Sequence, residues 1–150
     1  MHGQRRESSR EYQRAAETAR KQGLRYVADD FEQADARADA LAGNCESSHR
    51  LGNPALALAM CGEASEAEKV AAETSRLSPN ATIWNAVQLP EIQAMIALHH
   101  NEQAKGIELL ASASPYERAY PDAVYVRGLI YLSMKRGAEA AAVGQRERSI

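Results

Sequence analysis

Apolar residues recur along this chain at helical spacing and almost nowhere alternate as a strand would require. From Ser9 to Gln22 the residues Tyr12, Ala15, Ala16 and Ala19 share one face, and Gly23 follows as a C-terminal stop. A second stripe, Leu24, Val27, Ala28, Phe31, Ala34, Ala38 and Leu41, predicts a helix from Leu24 to Ala42. The short polar stretch NCESSHRLG precedes PALALAMCG, read as a buried helix opened by Pro54 and stopped at Gly62. EASEAEKVAAETSRL gives the next helix, ending before Ser78-Pro79-Asn80. Another runs from Asn85 to His100, with Pro90 tolerated only in a first turn. EQAKGIELLASAS and a final pair starting at Pro121 and breaking at Lys135–Gly137 complete about eight or nine helices. Their short connections predict antiparallel neighbours.

Three corners look alike: AMCGEASEAEKVAA, ALHHNEQAKGIELL and YLSMKRGAEAAAVG. Each places a small residue, Ala67, Gly106 or Ala140, just inside the second helix, at spacings of 39 and 34 residues. A period in the mid-thirties built from helix–turn–helix units is the mark of a helical repeat array. Gly128, Tyr131 and Ala140 in the last unit resemble the small, aromatic and small positions of the tetratricopeptide family. Ala94, Ala97 and Gly106 take those places one unit earlier. Ala55, Leu58 and Ala67 take them before that, with Pro79 as the closing proline, and Ala36, Asp39 and Ser48 form a degenerate earlier unit. The consensus Trp is missing. The resemblance implies an all-α, tetratricopeptide-like α-α superhelix of stacked antiparallel helix pairs. It covers residues 1–150 as a single helical-repeat domain of about four units, read as a fragment of a larger protein. In that reading Gly128 is the close-contact point of a hairpin, since a mid-helix glycine costs about 1 kcal/mol against alanine.

The run from LPEIQAMIAL through PYERAYPDAVYVRGLIYL is also similar to the C-terminal helical-repeat region of some large bacterial serine/threonine protein kinases. No glycine-rich phosphate loop, His-Arg-Asp loop or Asp-Phe-Gly occurs in the chain. That resemblance therefore implies a regulatory or docking region of a signalling protein and no phosphoryl transfer by this segment.

Composition narrows the classes further. Apolar residues make up 45% of the chain but aromatics only 5%, so the core must be built from Ala, Leu and Val, which suits close-packed helices. A net charge of −2 offers no basic stripe for nucleic acid. No apolar run reaches the length of a membrane span and no signal peptide opens the chain, so a soluble, cytoplasmic segment is expected. Cys45 and Cys61 make no CxxC pair and are expected as free thiols, with one disulfide between them the alternative.

Chemistry-bearing groups are sparse. His99 and His100 are adjacent, which turns them about 100° apart on a helix and prevents chelation as a pair. Cys45, His49 and Cys61 lack an evident fourth metal ligand. Tyr116, Glu117, Arg118 and Glu91 bring no nucleophile–base–orienter set. Neither a catalytic role, nor a metal, nor a cofactor is expected. In repeats of this kind the first helix of each pair lines a concave groove for protein or peptide ligands. Carrying the register over places Leu56, Ala59 and Met60, then Glu91, Met95, Leu98 and His99, then Asp122, Tyr125, Leu129 and Leu132 on that groove. The expectation is a protein–protein interaction or scaffold module with possible self-association. Its alternative is a helical bundle with a small-molecule pocket, serving as an enzyme or ligand sensor.

Overall fold

The computed structural model describes residues 2–49 and 55–148. The expected helix start at Pro54 lies outside the described residues. Within them the protein is all-α, with no strand. The order is α1 (His2–Lys21), α2 (Arg25–Leu41), a 3-10 turn (Glu46–His49), α3 (Ala55–Met60) and α4 (Ala64–Leu77). A π-helical turn (Trp84–Gln88) runs directly into α5 (Leu89–His99). Then come α6 (Gln103–Leu109), a 3-10 segment (Leu110–Tyr116), α7 (Asp122–Ser133) and α8 (Gly137–Arg148). The chain divides into two compact units, Met1–Glu66 and Ala67–Ile150.

One local device ends five of these helices. Gly23, Gly43, Gly62, Asn101 and Lys135 all adopt positive φ, between 59° and 79°. In each case the following amide donates back across the turn: Leu24 to Ala19, Asn44 to Asp39, Glu63 to Leu58, Glu102 to Ala97 and Arg136 to Tyr131, at 2.8–3.0 Å. This is the Schellman closure, which satisfies carbonyls that a helix end would leave bare. Glycine pays nothing for the left-handed conformation and asparagine little, whereas Lys135 carries a steric cost. Small residues recur around the corners. Seven positions before the left-handed residue stand Ala16, Ala36, Ala55, Ala94 and Gly128; five after it stand Ala28, Ser48, Ala67, Gly106 and Ala140. All are buried except Gly128 and Ala140, which are half-exposed.

In the first unit α1 and α2 form a hairpin whose seam is alanine: Ala16, Ala19 and Ala28 are buried, with Val27 and Phe31 packed against them. Side chains this small let the helices approach closely, and polar groups supply the specificity the seam lacks. Arg5 reaches from α1 to α2, its Nη2 donating at 2.6 Å to Asp35 Oδ1, at 2.7 Å to the Asp35 carbonyl and pairing at 2.6 Å with Asp39 Oδ1. Ser9 Oγ donates to the other Asp35 oxygen at 2.9 Å, and Arg20 pairs with Glu32 nearer the corner. The Asp35 and Asp39 side chains are only 5% and 12% exposed. Removing the guanidinium strands two carboxylates that water barely reaches. Arg5→Ala is therefore expected to cost about 2 kcal/mol, below the full penalty of a deeply buried pair because Arg5 keeps some solvent contact. Urea unfolding followed by circular dichroism checks it.

The cysteines are not free thiols: Cys45 and Cys61 are joined in a disulfide, with Cα atoms 5.9 Å apart. Two left-handed corners bring this about. Gly43 turns the chain at the end of α2, two residues before Cys45, and Gly62 turns it immediately after Cys61. Ser48 Oγ, donating to the Cys45 carbonyl at 2.6 Å, holds the 3-10 turn between them.

In the second unit α5 is the central element, with Pro90 through Ile92 and Ala94 through Ala97 all buried. Pro90 lies in its first turn but the helix does not begin there, because the π-helical turn feeds into it without a break. Lacking an N–H, Pro90 cannot serve the carbonyl of Ala86 four residues earlier. Ser112 Oγ donates to that carbonyl instead, at 3.0 Å, tying the 3-10 segment to the turn. Trp84 is buried and donates its indole N–H to Ser75 Oγ at 2.9 Å.

The register expected to bring Ala94, Ala97 and Gly106 together does so. A Cβ on Gly106 would lie 3.3 Å from the Ala94 carbonyl oxygen, 3.8 Å from Ala97 Cβ and 2.8 Å from Ile130 Cδ1. These three small residues thus form a socket between α5 and α6 that receives Ile130 of α7. Gly128 corrects the expectation made of it. A Cβ there would meet nothing within 4 Å, so it is no contact point of the α7–α8 hairpin.

Candidate interaction surface

The eleven residues expected on a groove divide by burial, Ala59 among the buried ones and Leu98 among the half-buried. Leu56, in the first unit, is buried and Met60 is half-buried. In the second unit Glu91 and Met95 are each only 3% exposed and present nothing to a partner, because α5 is covered on most of its circumference. His99 is exposed beside the Asn101 corner, and Asp122 and Leu129 are half-buried. Tyr125 is exposed at 43%.

α7 is the helix that combines both behaviours. Its back, Ala123, Val126 and Ile130, is fully buried. Its front carries Tyr125, Gly128, Leu129 and Leu132, spaced i, i+3, i+4, i+7 and therefore on one face. Leu132 is 59% exposed. Measured from the left-handed residue of each corner, those four positions match Glu91, Ala94, Met95 and Leu98 of α5. The first three of these are buried and Leu98 half-buried. The same face is therefore covered on one helix and open on the next. Leu132, one of the expected groove residues, is more exposed than Tyr125.

Other surfaces hold less. A half-open groove of about 450 Å³ lies between α4, α5 and α6, with an apolar floor of Leu89, Ile92 and Ile96 and a polar edge of His100, Glu102 and Lys105. The edge is internally satisfied: Lys105 Nζ lies 2.8 Å from Glu102 Oε2. That hydrogen bond, with the charge behind it, holds the Glu102 carboxyl below its ordinary range and the Lys105 ammonium above its own. A shallower groove of about 400 Å³ on the α1–α2 hairpin is lined by Ala15, Leu24, Val27 and Phe31 among others.

Of the candidate acid–base groups, Glu117 has a structural partner. Glu117 pairs with Arg127, whose Nη2 also donates to the Leu110 carbonyl at 3.0 Å, so the acid anchors the 3-10 segment to α7. Cys45 and Cys61, bonded to each other, offer no thiolate to a metal. Among the described residues no group of three His, Cys, Asp or Glu is placed to hold a metal ion, and no helix is long and apolar enough to cross a membrane. Comparison with family models, with curated proteins and with solved structures finds no match.

Proposed function

We propose that this chain is a protein–protein interaction module with a tetratricopeptide-like repeat architecture, acting as a docking or regulatory region of a larger signalling protein. The observation that carries this reading is the apolar front of α7. Tyr125 and Leu132 stand in solvent at positions whose counterparts on α5 are buried or half-buried. Apolar side chains of this size, grouped on one helix face and framed by polar residues, are what partner recognition uses. The repeated corners, with their small residues at fixed distances, support the repeat architecture. The signalling context rests on the resemblance to kinase-associated repeats. The groove between α4, α5 and α6 supports a small-molecule pocket less well, since the Glu102 and Lys105 charges at its edge engage each other.

Affinity capture with the immobilised chain, compared with a Tyr125→Glu variant, tests the proposal. Tyr125 is exposed enough for the variant to fold. Proteins held by the native chain should fall by about tenfold or more on the variant, as loss of a central aromatic anchor demands. An identical set captured by both would overturn the reading.

A further inference from the structure

The helix that follows the Gly43 corner comes early. α3 begins at Ala55, 12 positions beyond Gly43. After the next two corners the corresponding elements begin at Trp84, 22 positions beyond Gly62, and at Asp122, 21 beyond Asn101. The longer intervals hold α4, of 14 residues, and α6 with its 3-10 continuation to Tyr116. In the short one the described residues form a 3-10 turn of four. A single turn gives the next helix little to pack against, and α3 lies on α2 and on that turn. The Cys45–Cys61 bond stands at this deficit, joining the residue before the 3-10 turn to the residue after α3. It does covalently what a second helix does by packing after the later corners.

The bond therefore holds a short element and little else. Six residues do not persist as a helix unaided, so the burial of Leu56 and Leu58, 9% and 4% exposed, depends on α3 staying docked. The α1–α2 hairpin has ties of its own: the alanine seam, the Arg5 and Ser9 contacts to Asp35, and the Arg20–Glu32 pair. Losing the bond leaves these in place. Cys45 and Cys61 are both half-buried rather than enclosed, so a thiol from solution can reach them.

We propose that Cys45–Cys61 is a reversible redox switch that docks α3 when oxidised and frees it when reduced. The counter-reactant is a thiol couple, either two monothiols or one dithiol. One reductant thiolate attacks a cysteine sulfur, and the other cysteine leaves as a thiolate and takes up a proton. A second reductant thiolate then resolves the mixed disulfide. Two electrons pass to the protein, two reductant thiols become one disulfide, and the protein carries two thiols. Freed α3 exposes Ala55 through Ala59, so the reduced state presents an apolar segment that the oxidised state hides. The switch belongs to the first unit and is independent of the docking reading of α7.

Equilibrating the folded full chain with graded ratios of reduced to oxidised dithiothreitol tests it. Alkylation followed by mass spectrometry reads the bond, and hydrogen exchange reads the structure. Amides of α3 should exchange about a hundredfold faster in the reduced chain, while α1 and the first half of α2 keep their oxidised rates. Returning the chain to oxidised dithiothreitol should restore slow exchange in α3. A chain carrying both Cys45→Ser and Cys61→Ser should match the reduced form and ignore the buffer. The proposal is overturned by a bond that survives the most reducing buffer in the folded chain, or by α3 rates that do not respond to its reduction. Loss of the α1–α2 hairpin together with α3 would mean general unfolding of the unit. Re-oxidation without renewed protection of α3 would mean an irreversible break. Either result also sinks the switch.

Discussion

Gly106→Val is expected to destabilise the second unit by about 3 kcal/mol, whereas Gly128→Ala should stabilise it by about 0.5–1 kcal/mol. Both glycines sit in helices, and both substitutions recover the helical propensity that glycine forfeits. The difference lies in what each new side chain meets. At Gly106 a Cβ is 2.8 Å from Ile130 Cδ1 and 3.3 Å from the Ala94 carbonyl. The isoleucine terminus can swing, but the backbone oxygen of α5 cannot, and the two γ-methyls of valine must enter a socket already filled. The cost of overpacking then exceeds the propensity gain. At Gly128 a methyl group meets nothing within 4 Å, so only the gain remains. Trp84, the single tryptophan and buried in the same unit, makes urea unfolding followed by its fluorescence the direct measurement. A Gly106→Val protein as stable as the native one would show that the Ile130 socket is slack.

Reducing the Cys45–Cys61 disulfide is expected to weaken the first unit by about 3 kcal/mol, the chain-entropy value for a loop of roughly this length. The bond spans 16 residues and ties the corner after α2 to the end of α3. α3 is only six residues long, far too short to persist by helix propensity. It depends on being held where Ala55 through Ala59 can stay buried. Cys61→Ala, or a reductant, should therefore speed amide exchange in α3 and the C-terminal half of α2 by about a hundredfold, with the loss concentrated there. Exchange rates unchanged by reduction would mean that packing alone secures the segment. The bond also bears on the expected cytoplasmic setting. A disulfide persists in oxidising compartments and is rare in a reducing cytosol, where the same residues would be thiols and this unit correspondingly weaker.

Much of the fold was legible because its devices are local. Helical spacing marked most of the helices, and glycine marked three of the five left-handed corners. Asn101 tolerates that conformation and so left a weaker trace, while Lys135 left none of its own; its corner was visible through the break before Gly137. The disulfide was not legible, since nothing local to Cys45 or Cys61 says that two separate turns bring their Cα atoms together. Gly128 misled for a related reason. A glycine signals that closeness is permitted, and whether anything comes close depends on a residue from another helix, as Ile130 does for Gly106. The buried groove candidates had a readable warning. ALALAM and LPEIQAMIAL are apolar around most of their circumference, which is the pattern of an enclosed helix, so Leu56, Glu91 and Met95 had little chance of facing a ligand. α7 keeps a covered back and an apolar front, and the sequence gives both faces the same hydrophobic character. Telling the occupied face from the open one needed the packing.

The covalent link between residues 45 and 61 has a consequence for the life of the molecule as well as for its folding. A protease that cuts any one peptide bond between them produces no separated fragments. The two pieces stay on one molecule, and whatever docks on α7 remains physically attached to α1 and α2. Release would then require two events of different chemistry, hydrolysis and reduction, in either order. A nicked chain passing from an oxidising to a reducing environment would come apart there, with the earlier cut invisible until that moment.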